Sequence, residues 1–334
     1  MSNFVRRMSR YYETSPAPTI AAIGLGGMIW LTAATAAPGQ TVCVLVPHFK
    51  DEYWLSVGYG LEQEAEHQRL ELLFYQAGGY RARVQQIGQI KTCVKQGVDA
   101  ILIGAVTSDH PDLTSAVVEA SRSQPVIGLV NELHSASLDA RIGVDWRDMG
   151  SAVGLHLSER HPEGSQPKTA VLVSGPREAG WTGPLEEGLR SALSSSSVEI
   201  LEVMGADTGL RQQLELVETA LERYPDVDYL IGSAPAVEAA MGLLETSANS
   251  NSPRLYSTYI SHTVLRGLMN GSVLAAPFDD PAMQGALALR QVTSTGSDQR
   301  DGKLIGPGIR LLTNSSPDLV QVQVSPAEYF PDIR

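Results

Sequence analysis

The chain has 334 residues, with 25 Lys and Arg against 37 Asp and Glu, and a formal net charge of −12. Acid in that excess repels phosphate backbones, which excludes nucleic acid as a natural partner. At this length two domains are expected, each with enough chain to bury its own core.

The first segment reads as an export signal. Arg6, Arg7 and Arg10 precede an apolar run beginning at Ile20, and Ala34-Thr35-Ala36 has the small-x-small pattern of a cleavage site. Residues 1–36 are therefore expected to be a secretory signal peptide and the remainder a periplasmic protein. An uncleaved anchor is the other reading, because 20–36 comes close to the length of a bilayer span. Without the segment's three Arg and one Glu, 22 basic and 36 acidic residues remain, a net charge of −14.

From Val42 onward, short apolar and β-branched runs alternate with helical spacing. Strands are expected at 42–47, 70–75, 100–103, 126–130 and 142–144, with helices beginning near Trp54, Arg81, Pro111 and Asp148. A second cycle follows, with strands at 169–173, 199–203, 229–231, 254–259 and 273–276 and helices near Pro184, Leu210, Ala236 and His262. Two such cycles give an α/β fold of two doubly wound parallel-sheet lobes joined by a hinge, with a cleft between them. The N-terminal lobe is expected to hold 37–147 plus 278–302, and the C-terminal lobe 148–277 plus 303–334. The crossovers fall near 145–150, 277–282 and 302–307. Residues 310–313 and 319–324 read as terminal strands or extended tail.

Two cysteines remain, Cys43 on the first strand and Cys93 near the end of the helix from Arg81. If the second and third strands flank the first, right-handed crossover carries that helix over strand one. The pair then reads as a disulfide in an oxidising compartment; two buried free thiols are the alternative.

Catalytic signatures are missing. No phosphate-cradling Gly-rich loop is followed by Lys-Ser or Lys-Thr. Ser174-Gly175 lacks the upstream Gly of a nucleophile elbow. His156 and His161, five apart, do not share the face that a zinc pair needs. Glu186-Glu187 reads as a solvated helix face, and of Asp279-Asp280, in a crossover, one carboxylate could face the cleft. No catalytic residue, metal or cofactor is expected.

Aromatic residues are only 6% of the chain, so their positions inform. Trp54, Trp146 and Trp181 each fall just after an expected strand, as does Tyr80 behind Gly78-Gly79, and Tyr259 ends one. Ligands of open α/β folds bind outside the carboxyl ends of strands. Several rings converging there suit a small cation, attracted to each ring by about 0.5–2 kcal/mol.

Several stretches resemble a known family: Cys43-Val44-Leu45-Val46-Pro47, Lys50-Asp51-Glu52-Tyr53-Trp54-Leu55-Ser56, Gln76-Ala77-Gly78-Gly79-Tyr80 and Val144-Asp145-Trp146. So do Glu238-Ala239-Ala240-Met241-Gly242, Tyr259-Ile260-Ser261-His262 and Arg266-Gly267. Over roughly residues 42–325 the chain resembles the type I periplasmic binding protein family, in particular its members that bind trimethylamine N-oxide. The resemblance implies an aromatic cage of Tyr53, Trp54, Tyr80, Trp146 and Tyr259, with Asp51 as a polar neighbour. It also implies a partner, the periplasmic sensor domain of a hybrid histidine kinase, and signalling rather than import or catalysis. The alternative is the sugar-binding component of an ABC importer, for which Asn131 is available. A repressor of the same fold is disfavoured, because a leader stands where a DNA-binding headpiece belongs.

Overall fold

The computed structural model describes residues 39–246, 252–294 and 303–334, so the expected leader lies outside them. The first lobe begins β1 (Thr41–Val46), α1 (Glu52–Gln68), β2 (Glu71–Gln76), α2 (Arg83–Gln96), β3 (Ala100–Ile103), α3 (Pro111–Ala120), β4 (Val126–Leu129) and β5 (Ala140–Ile142). The second holds α4 (Trp146–Arg160), β6 (Lys168–Ser174), α5 (Thr182–Leu193), β7 (Val198–Gly205), α6 (Leu210–Arg223), β8 (Tyr229–Gly232), α7 (Ala234–Thr246), β9 (Arg254–Ser257), α8 (His262–Asn270) and β10 (Val273–Phe278). The chain returns to the first lobe for α9 (Pro281–Ser294) and β11 (Leu304–Ile305), then to the second for β12 (Arg310–Thr313).

Among the described residues both sheets have six strands and the same winding, β2-β1-β3-β4-β5-β11 and β7-β6-β8-β9-β10-β12. Every pairing is parallel except that of β12 on β10. The central strands β3 and β4 are buried throughout, which is why they read as continuous apolar runs and not as alternating ones.

Among the described residues, three hinge segments, at 143–145, 279–280 and 306–309, and the tail after β12 cross between the lobes. Two of them touch backbone to backbone: a Cβ on Gly306 would lie 1.8 Å from the Gly143 carbonyl oxygen. Glycine is therefore required at Gly306 by the closeness of the hinge strands.

The lobe boundary differs from expectation at the C-terminal end. Residues 303–334 were expected in the second lobe, but β11 pairs in parallel with β5 of the first sheet. Ile333 bridges to Phe74, and the Arg334 N–H donates to the Phe74 carbonyl at 2.9 Å. The tail thus covers the open edge of β2, whose unpaired backbone groups need partners. Residues 319–324 form no strand; Leu319–Gln321 is a short 3-10 turn. Only the first two residues of α9 fall in the crossover expected at 277–282, and Pro281 suits the first helical position.

Cys43 and Cys93 form a disulfide with Cα atoms 6.2 Å apart, tying β1 to α2. On the chain-entropy argument a 50-residue separation stabilises the fold by about 4 kcal/mol. Alkylation of unreduced protein followed by mass spectrometry should leave both cysteines unlabelled, and Cys93→Ser should lower the unfolding midpoint. Label on both cysteines would refute the bridge.

Candidate functional site

Helix starts position the aromatic side chains. Asp51 caps α1, its Oδ1 accepting the Tyr53 N–H at 3.1 Å. This cap satisfies an orphan donor and fixes Tyr53 and Trp54 in the first turn, beyond the carboxyl end of β1. Asp145 does the same for α4, accepting the Arg147 N–H at 2.8 Å, and so sets Trp146 at its first residue. Trp181 immediately precedes α5, and Tyr259 lies between β9 and Ser261, the cap of α8. Tyr80 is reached through Gly78 and Gly79, with φ of 104° and 153°.

These six rings meet between the lobes, none of them more than 4% exposed. Centroids are 5.3 Å apart for Tyr53 and Tyr259, 6.2 Å for Tyr53 and Trp146, 5.2 Å for Trp146 and Trp181, and 5.9 Å for Trp181 and Tyr259. With Asp51, Val130 and Asn131 they line a cavity of about 10 Å³. That is about the space of one water, so a larger guest must part the rings. Two strand-end glycines make room for indoles: a Cβ on Gly104 would meet the Trp54 ring at 2.3 Å, and one on Gly175 the Trp181 ring at 2.3 Å. Val130 has a φ of 64°, a strained conformation for a β-branched residue. Its carbonyl accepts the Trp146 Nε1–H at 3.2 Å.

The polar groups of the box have opposite senses. Tyr259 donates its hydroxyl to Asp51 Oδ2 at 2.6 Å, and Tyr53 donates to Asp279 Oδ2 at 2.7 Å. Burial, then the facing carboxylate, raises both phenols well above their ordinary range. Tyr80 is the converse: its oxygen accepts from Trp181 Nε1 at 3.2 Å and Asn131 Nδ2 at 3.4 Å. Burial raises this phenol too, so the proton stays on and remains available as a donor. Burial raises the Asp51 carboxyl, against the hydrogen bond from Tyr259 and the nearby His48. Asp279 is fully buried and raised to about 6 by that burial, against the bonds from Tyr53 and Gln284.

The structure brings together all six residues expected at the site, Asp51, Tyr53, Trp54, Tyr80, Trp146 and Tyr259. Trp181, a ring just after an expected strand, also joins the box although the expected cage does not include it; Gly175, at the end of β6, leaves room for its indole. Asp279 lies behind Tyr53, while Asp280 caps α9 by accepting the Met283 N–H at 3.0 Å. His156 and His161 bond to Tyr256 and Tyr229, at 3.1 and 2.6 Å. Among the described residues no group of His, Cys, Asp and Glu is arranged to hold a metal.

Residues 42–295 match the periplasmic binding protein domain. The chain belongs to that family. It is 35% identical over 304 residues to the periplasmic protein TorT of Escherichia coli K12, covering 90% of this chain and 86% of TorT. Among solved structures, TorT in complex with the TorS sensor domain is similar with a TM-score of 0.76 and 34% identity, over 88% of this chain and 100% of that one. The same complex in the presence of trimethylamine N-oxide gives the same figures. An ABC transporter solute-binding protein of Bradyrhizobium sp. BTAi1 with bound bis-tris has a TM-score of 0.73 and 33% identity, over 90% of both chains. The protein is thus a periplasmic binding protein and not an enzyme.

Asp279 gives a pH test. Its folded value lies above the ordinary 3.8, so its ionisation costs stability: nothing below about pH 4, and the full amount above about pH 6. The gap between 3.8 and about 6 corresponds to about 3 kcal/mol. Asp279→Asn should therefore unfold at higher urea than wild type at pH 7.5, with the advantage shrinking toward pH 4. A pH-independent difference would contradict this assignment.

Proposed function

We propose that this protein binds trimethylamine N-oxide between its lobes and reports it to the periplasmic sensor domain of a TorS-like hybrid histidine kinase. The observation that carries the reading is the polarity of the box. Two tyrosines each donate to a buried carboxylate, which leaves their rings electron-rich and the surroundings negative. Such walls favour a quaternary nitrogen. Tyr80, its oxygen already accepting two N–H groups, keeps a hydrogen for an acceptor on the guest, and the oxide oxygen is one. A trimethylammonium group without oxygen would leave that donor unused.

Size supports a small guest. Trimethylamine N-oxide has five heavy atoms, and at about 1.5 kcal/mol per atom its affinity cannot exceed low micromolar. A sugar reading finds less support. Among the described residues no guanidinium lines the cavity, and the one lining carboxylate, Asp51, is occupied by Tyr259 and the Tyr53 amide. The family resemblance to TorT, whose complex with the TorS sensor domain is known, supports the kinase partner.

Calorimetry of the purified protein with trimethylamine N-oxide should give a micromolar dissociation constant, with Trp54→Ala abolishing the heat. No heat from wild type, alone or with the kinase sensor domain, would reject the proposal. Tyr80→Phe isolates the oxide contact: loss of one hydrogen bond of about 1.5 kcal/mol should weaken binding by about tenfold. Unchanged affinity would remove Tyr80 as the donor.

A further inference from the structure

We propose that Asp207 is a positioning residue that latches the cleft: reaching from the second lobe, its carboxylate holds His48 and the Tyr80 backbone of the first lobe and keeps the ring box closed. Asp207 lies between β7 and α6, and His48 and Tyr80 follow β1 and β2. Oδ1 is 2.8 Å from His48 Nε2, and Oδ2 accepts the Tyr80 N–H at 3.2 Å. A carboxylate only accepts, so His48 Nε2 carries the hydrogen. Thr208 Oγ1, also from the second lobe, lies 3.3 Å from the same nitrogen.

The first lobe is shaped to receive this side chain. A Cβ on Gly79 would stand 2.1 Å from Asp207 Oδ2, so only glycine lets the carboxylate reach the Tyr80 amide. His48 is fully buried although it is polar, and it packs edge-on against the Tyr80 ring at 5.9 Å. Burial alone would raise the Asp207 carboxyl, but the bond from His48, the Tyr80 N–H and the nearby Lys50 outweigh it and hold it below its ordinary range. Asp207 does not line the cavity, so it acts on a guest only through Tyr80 and His48.

Its donors and its acceptor belong to different lobes, so these bonds exist only when the cleft is shut. A contact of this kind raises the closed fraction for any guest and tightens apparent affinity by the same factor. It acts chiefly on escape, because the bonds must break before the lobes part. The inference rests on the reading that the cleft binds a small guest, and it concerns what keeps that guest in.

The test compares wild type, Asp207→Ala, Gly79→Ala and the double variant, with trimethylamine N-oxide as probe. Calorimetry, stopped-flow tryptophan fluorescence and hydrogen exchange at the Tyr80 amide are the readouts. Asp207→Ala should release the probe about tenfold faster with little change in association. It should also speed Tyr80 amide exchange in unliganded protein. Gly79→Ala should weaken binding strongly in wild type but several-fold less beside Asp207→Ala, a coupling across the cleft that a fold defect in either lobe would not produce. Wild-type release and exchange rates in Asp207→Ala would overturn the latch while leaving the ligand reading intact. If wild type gives no heat with the probe but Asp207→Ala still exposes the Tyr80 amide, the latch stands and the ligand reading falls.

Discussion

The Asp51 carboxylate joins the local folding of this chain to its long-range assembly. One oxygen caps α1 and so sets the direction of Tyr53 and Trp54; the other takes the Tyr259 hydroxyl from the opposite lobe, 208 positions away. The cap costs nothing extra, since the first amides of any helix need an acceptor. Using the same group to receive Tyr259 means that closing the cleft satisfies a carboxylate already committed to burial. Left buried and half paired, it would be costly. The closed arrangement of rings therefore depends on this one group more than on any ring contact.

Burying acids among rings carries a stability penalty that the fold accepts. Asp51 and Asp279 both have carboxyls raised by burial, and Asp279 Oδ1 has no partner among the described residues. A core built only for stability would replace such groups with apolar ones. Their placement against Tyr53 and Tyr259 makes sense as electrostatics for a guest, not as packing. The strained Val130 belongs to the same pattern, since its carbonyl fixes the Trp146 indole. The proposed five-atom guest would supply little binding energy of its own, which gives the bonds between the lobes much of the holding to do.

Most of the fold was legible because buried parallel strands announce themselves as short apolar runs; of β1 to β10 all but β5 fell on the expected runs, and β5, Ala140–Ile142, shares only Ile142 with the strand expected at 142–144. The loop rings were legible for a related reason: Trp54, Tyr80, Trp146 and Tyr259 follow strands, where an ordinary core has no use for them. Trp181 was harder, because the room for its indole comes from Gly175 at the end of β6, a contact that exists only in the folded chain. The pairings behind the rings were not legible at all. Nothing local marks Asp279 as the partner of Tyr53, 226 positions away, or Asp207 as the partner of His48. Of the stretch 303–334 expected in the second lobe, β12 does pair there, but Leu304–Ile305 and Ile333 do not; they carry too few residues to show a period, and their place is set by the free edges that they cover.

Under the proposed function, charge, and not merely shape, selects the guest. Tert-butyl alcohol has the same number of heavy atoms and nearly the same outline as trimethylamine N-oxide but no charge on its central atom. Calorimetric titration of both into the same protein separates charge from shape. The N-oxide should bind at least tenfold more tightly, because attraction by several desolvated rings amounts to more than about 1.4 kcal/mol. Equal affinity for the two would contradict it.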